Sequence, residues 1–179
     1  MVDSSAFGLF DPFEPQTIQG ECAENLYAEP LVIDAPIEVV WEIMTDFDLY
    51  PEWNPMNRWF KLDSKAEPNH MVTFGSYMGP FNQAEGEQLP EASFTNHETI
   101  TVWEENLCLA YAVISPDLNA ERVQFISSLP DGKTRYHTYE RMSGSLSVDV
   151  RRDMGDSIVA GFMANGEALK KRAEAFSST

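Results

Sequence analysis

The run from Ile33 to Pro55 constrains the fold more than any other part of the chain, because a strand end, a helix start and an aromatic turn follow one another without a spacer. Leu31 to Ile33 close an apolar, β-branched run, and Pro36 stands where a helix begins. There its missing N–H and fixed φ are tolerated. Ile37, Val40, Trp41 and Met44 recur at three- and four-residue steps, which puts them on one face. Glu38 falls in the first turn, where the helix dipole favours a carboxylate. Asp46 to Asp48 and then Tyr50-Pro51 are expected to end the helix, since a residue before proline avoids the helical region. Trp53-Asn54-Pro55 is expected to be exposed and to open the next strand.

From Asn57 to Met142 the chain reads as strand after strand: 58–62, 71–78, 93–103, 107–114, 122–128 and 133–143, each rich in aromatic and β-branched residues. Leu129-Pro-Asp-Gly132 and Ser115-Pro-Asp-Leu118 are turns by their chemistry. The break from Gly79 to Pro90 is a lid-like loop or the crossing of a sheet edge, and a loop of that length is more often functional than idle. Met154 to Phe176 reads as a long helix after a polar linker, with Ile158, Phe162, Asn165, Leu169 and Phe176 on one stripe and Lys170, Lys171 and Arg172 late in the helix. With 179 residues, of which 43% are hydrophobic, the chain has enough material for one core without metal or disulfides. Residues 1–23, holding Phe7, Phe10 and Phe13, stand apart as an acidic, aromatic arm, either a flexible tail or, as its three phenylalanines favour, a segment that packs on the domain or on a neighbouring subunit; 24–179 forms the domain.

The order Asp-Ala-Pro, Val-Trp, Asp-Phe and Tyr-Pro-Glu-Trp-Asn-Pro in the opening run resembles the START-like, or SRPBCC, superfamily in its polyketide cyclase/dehydrase branch. Tyr139 to Gly144 and Gly161 to Glu174 resemble that family's last strand and long C-terminal helix. The two matches bracket residues 24 to 176. The resemblance implies an α+β helix-grip fold: a curved antiparallel sheet of six to seven strands wrapped around the last helix, with short helices after the first strand and a ligand pocket between sheet and helix.

Alternation along the last strand separates Tyr136, Thr138, Glu140 and Met142 from Arg135, His137, Tyr139 and Arg141. The first set is taken as the interior face, because the second holds two arginines, and the family resemblance also sets the Glu140 column against the helix. Neighbouring strands are expected to add Leu109 and Tyr111, then Val123, Phe125 and Ser127, then Val72, Phe74, Ser76 and Met78. An apolar pocket with a few convergent polar groups suits a small molecule. In it Glu140, desolvated and so held protonated to higher pH, is a candidate acid or base, or else the partner of a nearby arginine. Tyr111 and Tyr136 are candidate donors to a substrate carbonyl or enolate, or packing residues. Trp53 either covers the mouth or plugs the core, Asn54 fixes its loop, and Phe162 and Asn165 reach in from the helix, Asn165 as an orienting amide. A β-bulge near Trp103 to Glu105 would exchange the two faces beyond it.

Several classes are set aside. The formal net charge of −17 argues against nucleic acid and anionic membrane partners. No apolar run approaches a membrane span. The chain's start lacks a signal peptide's pattern, which makes a cytoplasmic location the expectation. Cys22 and Cys108 are expected as free thiols. His70, His97 and His137 read as turn or surface residues without metal spacing, so neither a metal nor another cofactor is expected. Nucleophile and phosphate-loop motifs are absent. Two functions stay open: a cyclase or dehydratase acting by proton transfer on a hydrophobic or polycyclic ligand, and a carrier of such a ligand without chemistry. A homodimer stays open as well.

Overall fold

The computed structural model describes residues 25–84 and 86–177; the phenylalanine arm lies outside them. Eight antiparallel strands form one sheet: β1 (Leu26–Tyr27), β2 (Leu31–Ile33), β3 (Asn57–Leu62), β4 (Met71–Ser76), β5 (Phe94–Glu104), β6 (Cys108–Ile114), β7 (Asn119–Ser128) and β8 (Thr134–Ser143). Their order is β1-β8-β7-β6-β5-β4-β3, with β2 also on β8. Helix α1 (Ile37–Thr45), a 3-10 turn at Phe47–Leu49 and the short α2 (Tyr50–Trp53) follow β2, and α3 (Ser147–Ser177) lies in the grip of the sheet. This is the expected helix-grip architecture, with one strand more because the two-residue β1 adds to the edge.

The opening run folds mostly as its spacing dictates. Val40, Trp41 and Met44 of α1 are buried, Trp41 edge-on to Trp103 with ring centroids 5.7 Å apart. Tyr50-Pro51 does not break the helical path. It starts α2, because proline is tolerated in a first turn whose N–H groups lack helical partners anyway. Trp53 is accordingly buried, not exposed.

The last helix begins seven residues before Met154, at Ser147. Gly144, at φ +105°, reverses the chain straight out of β8, and Ser147 Oγ donates to the Gly144 carbonyl at 2.8 Å. The supposed linker is a polar first turn with Asp149 and Arg152 paired at 2.6 Å. Farther along, Gly161 and Gly166 let α3 sit close: a Cβ there would come within 2.9 Å of Met56 Sδ and of Leu31 Cδ1 respectively.

Two expectations about strand faces are corrected. On β7 the concave face is Ala120, Arg122, Gln124 and Ile126, so Phe125, with Val123, lies on the convex face in a cluster with Cys108, Ala110 and Tyr139. The five-residue turn 129–133 sets Ser128 opposite Thr134 and hence Arg122 opposite Glu140, overriding the apolar count that favoured Val123 and Phe125. The bulge falls between Ile100 and Val102, ahead of Trp103, and turns Trp103 inward against Leu109 and Trp41. His137 is buried on the convex side, stacked on Tyr27 with centroids 6.3 Å apart, where a surface residue was expected. His97 is exposed, as its position suggested.

Candidate active site

Between the N-terminal half of α3 and the sheet lies a cavity of about 280 Å³. Val150, Met154, Ile158 and Phe162 form its helical wall; Phe74, Met78, Phe94, Val113 and Ala120 add apolar surface from the sheet and its loops. Met154 and Phe94 are exposed at the mouth. Onto this apolar lining the concave strands project a row of polar groups: Asn57 from β3, Ser76 from β4, Asn96 and Glu98 from β5, Tyr111 from β6, Arg122 from β7 and Glu140 from β8.

These groups form one directed network. Asn96 Nδ2 donates to Ser76 Oγ at 2.9 Å, Ser76 Oγ to Asn57 Oδ1 at 3.4 Å, and Asn57 Nδ2 to the Tyr111 hydroxyl at 3.0 Å. Arg122 Nη1 donates to the same hydroxyl at 3.3 Å. Two donors therefore occupy the tyrosine oxygen, and its own proton, which finds no acceptor among the described residues, is left to point at the cavity. The network thus presents one O–H to an occupant.

Arg122 is buried and held by neutral groups. Nη2 donates to Asn165 Oδ1 at 2.6 Å and Nε to Thr138 Oγ1 at 3.4 Å, and the guanidinium lies over the Phe162 ring at 4.5 Å. An uncompensated buried charge costs several kcal/mol, so these dipoles and the ring face must solvate it in place of a carboxylate. Asn165, which interrupts the apolar stripe of α3, is there for that contact.

Glu98 and Glu140 face the cavity from β5 and β8 with no hydrogen-bond or ion-pair partner among the described residues. Burial raises Glu140 to about 7, opposed by the Arg122 charge. Glu98 rises to about 8, by burial first, then by repulsion from Glu140, with Arg122 opposing. Protein surrounds both carboxyls on most sides while the cavity leaves each some solvent contact, so protons can reach them. Both are poised to exchange a proton near neutrality.

Of the residues predicted from sequence, the fold brings Glu140, Tyr111, Phe74, Met78 and Phe162 to the cavity wall. Thr138 and Asn165 stand behind it as Arg122's partners. Tyr136 is fully buried and donates to Gln124 Oε1 at 3.0 Å, Leu109 and Met142 are core, and Phe125 is on the opposite face. Asn54 Oδ1 accepts from the Met56 and Asn57 N–H groups at 3.1 and 2.8 Å, which fixes the loop that aims Asn57. Trp53 packs in the core, and its other edge lines a shallow cleft with Phe81 and Ala168, away from the main cavity. Arg122, Glu98, Asn57 and Asn96 escaped the sequence reading. The turn register 129–133, applied to an inward Glu140, would have found Arg122.

Among the described residues no group of three or more His, Cys, Asp or Glu side chains is placed to hold a metal ion, and no helix is long and apolar enough to cross a membrane. A family model described as polyketide cyclase/dehydrase and lipid transport matches residues 28–174. No curated protein matches the sequence. Among solved structures, the Zhui aromatase/cyclase from Streptomyces sp. R1128 superposes with a TM-score of 0.64 at 13% identity, over 86% of this chain and 94% of that one. A START superfamily protein from Mycobacterium smegmatis gives 0.59 at 15% identity, over 85% and 98%. The two-domain aromatase/cyclase StfQ of the steffimycin biosynthetic pathway gives 0.61 at 12%, over 87% of this chain and 52% of that one. At such identities the likeness is one of fold.

Proposed function

This chain belongs to the polyketide cyclase/dehydrase and lipid transport family, and from that premise we propose that its cavity binds a hydrophobic, ring-containing small molecule and catalyses a cofactor-independent proton transfer on it, of the kind that cyclisation or dehydration requires. The observation that carries this reading is the Tyr111 hydroxyl, backed by Arg122 and aimed into an apolar cavity that also holds the unpartnered Glu140. A carbonyl oxygen set against Tyr111 gains a donor that strengthens as negative charge develops on it. Glu140, near neutrality in its proton affinity, takes or gives the proton on the adjacent carbon. Small-molecule sites span roughly 300–1,000 Å³, and this cavity lies just below that range. A compact one- or two-ring molecule suits it better than a long acyl chain.

The predominantly apolar wall supports a second reading, carriage of the same ligand without chemistry. Native mass spectrometry of the purified protein, offered a panel of aromatic ketones, polyketide fragments and lipids, is expected to show a retained compact apolar ligand. A cavity that rejects the whole panel would remove both readings. Glu140→Gln separates them: the catalytic reading expects turnover to be abolished with affinity nearly unchanged, and unaltered turnover would take Glu140 out of the mechanism.

A further inference from the structure

We propose that Glu98 is a second catalytic carboxyl, and that Glu140 and Glu98 work as a base and an acid from opposite walls of the cavity in the elimination of water from a β-hydroxy ketone. The proposal rests on the reading above and adds to it a residue and a division of roles.

The assignment follows from position. Glu140 lies directly opposite Arg122 in the β7–β8 register, so the nearest cation favours its ionised form. Glu98 sits on β5 opposite the apolar Val72, with no cation on either adjacent strand's cavity-facing residues, which favours its neutral form. Tyr111, on a strand between them and backed by Arg122 on the next, supplies the oxyanion donor. A ketone whose oxygen rests on Tyr111 therefore has one carboxyl on each side. The titratable and charged groups that face this space are Glu98, Tyr111, Arg122 and Glu140; β3, β4 and α3 contribute only neutral side chains to it.

The step balances. Glu140 carboxylate takes the proton from the carbon α to the carbonyl, and the C–H electron pair passes to an enolate held by the Tyr111 hydroxyl, which Arg122 backs. That pair then forms the Cα=Cβ bond as the β C–O bond breaks, and Glu98 gives its proton to the departing hydroxyl, which leaves as water. Glu140 has gained a proton and Glu98 has lost one. Both touch solvent through the cavity, so water restores the starting state without any oxidant or cofactor.

The test uses two probes on the full chain: 4-hydroxy-4-phenylbutan-2-one, which loses water to form a conjugated enone, and 4-phenylbutan-2-one, which has no leaving group and reports only α-proton exchange into D₂O. Wild type is expected to do both, with dehydration bell-shaped in pH between an acidic limb set by Glu140 and an alkaline limb set by Glu98. Glu98→Gln should keep α-exchange, lose roughly 100-fold in dehydration and lose the alkaline limb. Glu140→Gln should lose both reactions. Calorimetric binding of 4-phenylbutan-2-one, unchanged in each variant, reports an intact fold, and Glu98→Asp should recover part of the dehydration. The proposal is overturned if Glu98→Gln dehydrates as wild type does, if it loses exchange and dehydration alike, or if wild type binds the ketone and does neither. Failure of wild type to bind either probe would instead count against the small-molecule reading itself.

Discussion

The two halves of α3 meet the same curved sheet and do opposite things with it. From Gly166 onward the helix is seated: Leu169 and Ala173 are fully buried among Ile33, Tyr136, Ile126 and the α1 residues Val40 and Met44. From Val150 to Phe162 it packs on Leu26, Met56 and Met142 and also walls a cavity, and the sheet beneath that cavity carries Glu98, Tyr111, Arg122 and Glu140. Where helix and sheet touch, the concave face is mostly apolar, and the one prominent polar pair, Tyr136 and Gln124, satisfies itself. The two glutamates and the arginine of the concave face gather around the cavity instead. One end of the grip is for stability and the other for a guest.

The largest test of that division is at the seated end. Leu169→Ala is expected to destabilise by about 3 kcal/mol in chemical denaturation, since it opens a cavity in packed core. Loss of under about 1 kcal/mol would mean that this end is not the stabilising one. At the open end, Ala120→Trp should fill the space, keep the melting temperature within a few degrees, and weaken aromatic ketone binding at least about tenfold, about 1.4 kcal/mol; undiminished affinity would place the ligand elsewhere.

The open end also has a signature in pH. A carboxyl whose folded-state pKa is raised makes the folded protein hold more protons than the unfolded chain, so stability falls as pH climbs from 4.5 through about 8. Glu98→Gln removes that loss. The variant should match wild type near pH 4 and exceed it by roughly 1–2 kcal/mol near pH 8.5, a figure kept low because the carboxyl retains some solvent contact. Equal stabilities across the range would contradict the burial of Glu98. The smallest effect is expected at the mouth, where Met154→Ala should change stability by under about 1 kcal/mol while altering which ring sizes bind.

The seated end was the legible one. Val40, Trp41 and Met44 on α1 and Leu169 on α3 declare themselves by helical spacing, because burial there is a matter of apolar pattern alone. The open end hides its chemistry by breaking that pattern. On β7 the apolar Val123 and Phe125 face a convex cluster while the charged Arg122 faces in, so counting hydrophobic residues selects the wrong side. Glu98 sits in a strand of polar residues, Thr95 to Thr99, whose alternation says little about which face is covered. Glu140 is legible because Met142 shares its face and two arginines, Arg135 and Arg141, mark the other. Trp53 was misplaced because its exposure is settled by α2, a one-turn helix that Pro51 conceals.

The central claim is that the space under the first half of α3 holds two carboxyls that keep their protons towards neutrality. Carbon-detected NMR titration of the glutamate side-chain carboxyls, assigned with Glu98→Gln and Glu140→Gln, measures this directly. The account predicts midpoints of about 7 for Glu140 and about 8 for Glu98, with Arg122→Met moving both upward because it removes the opposing charge. Midpoints near 4.5 for both, unmoved by Arg122→Met, would contradict it.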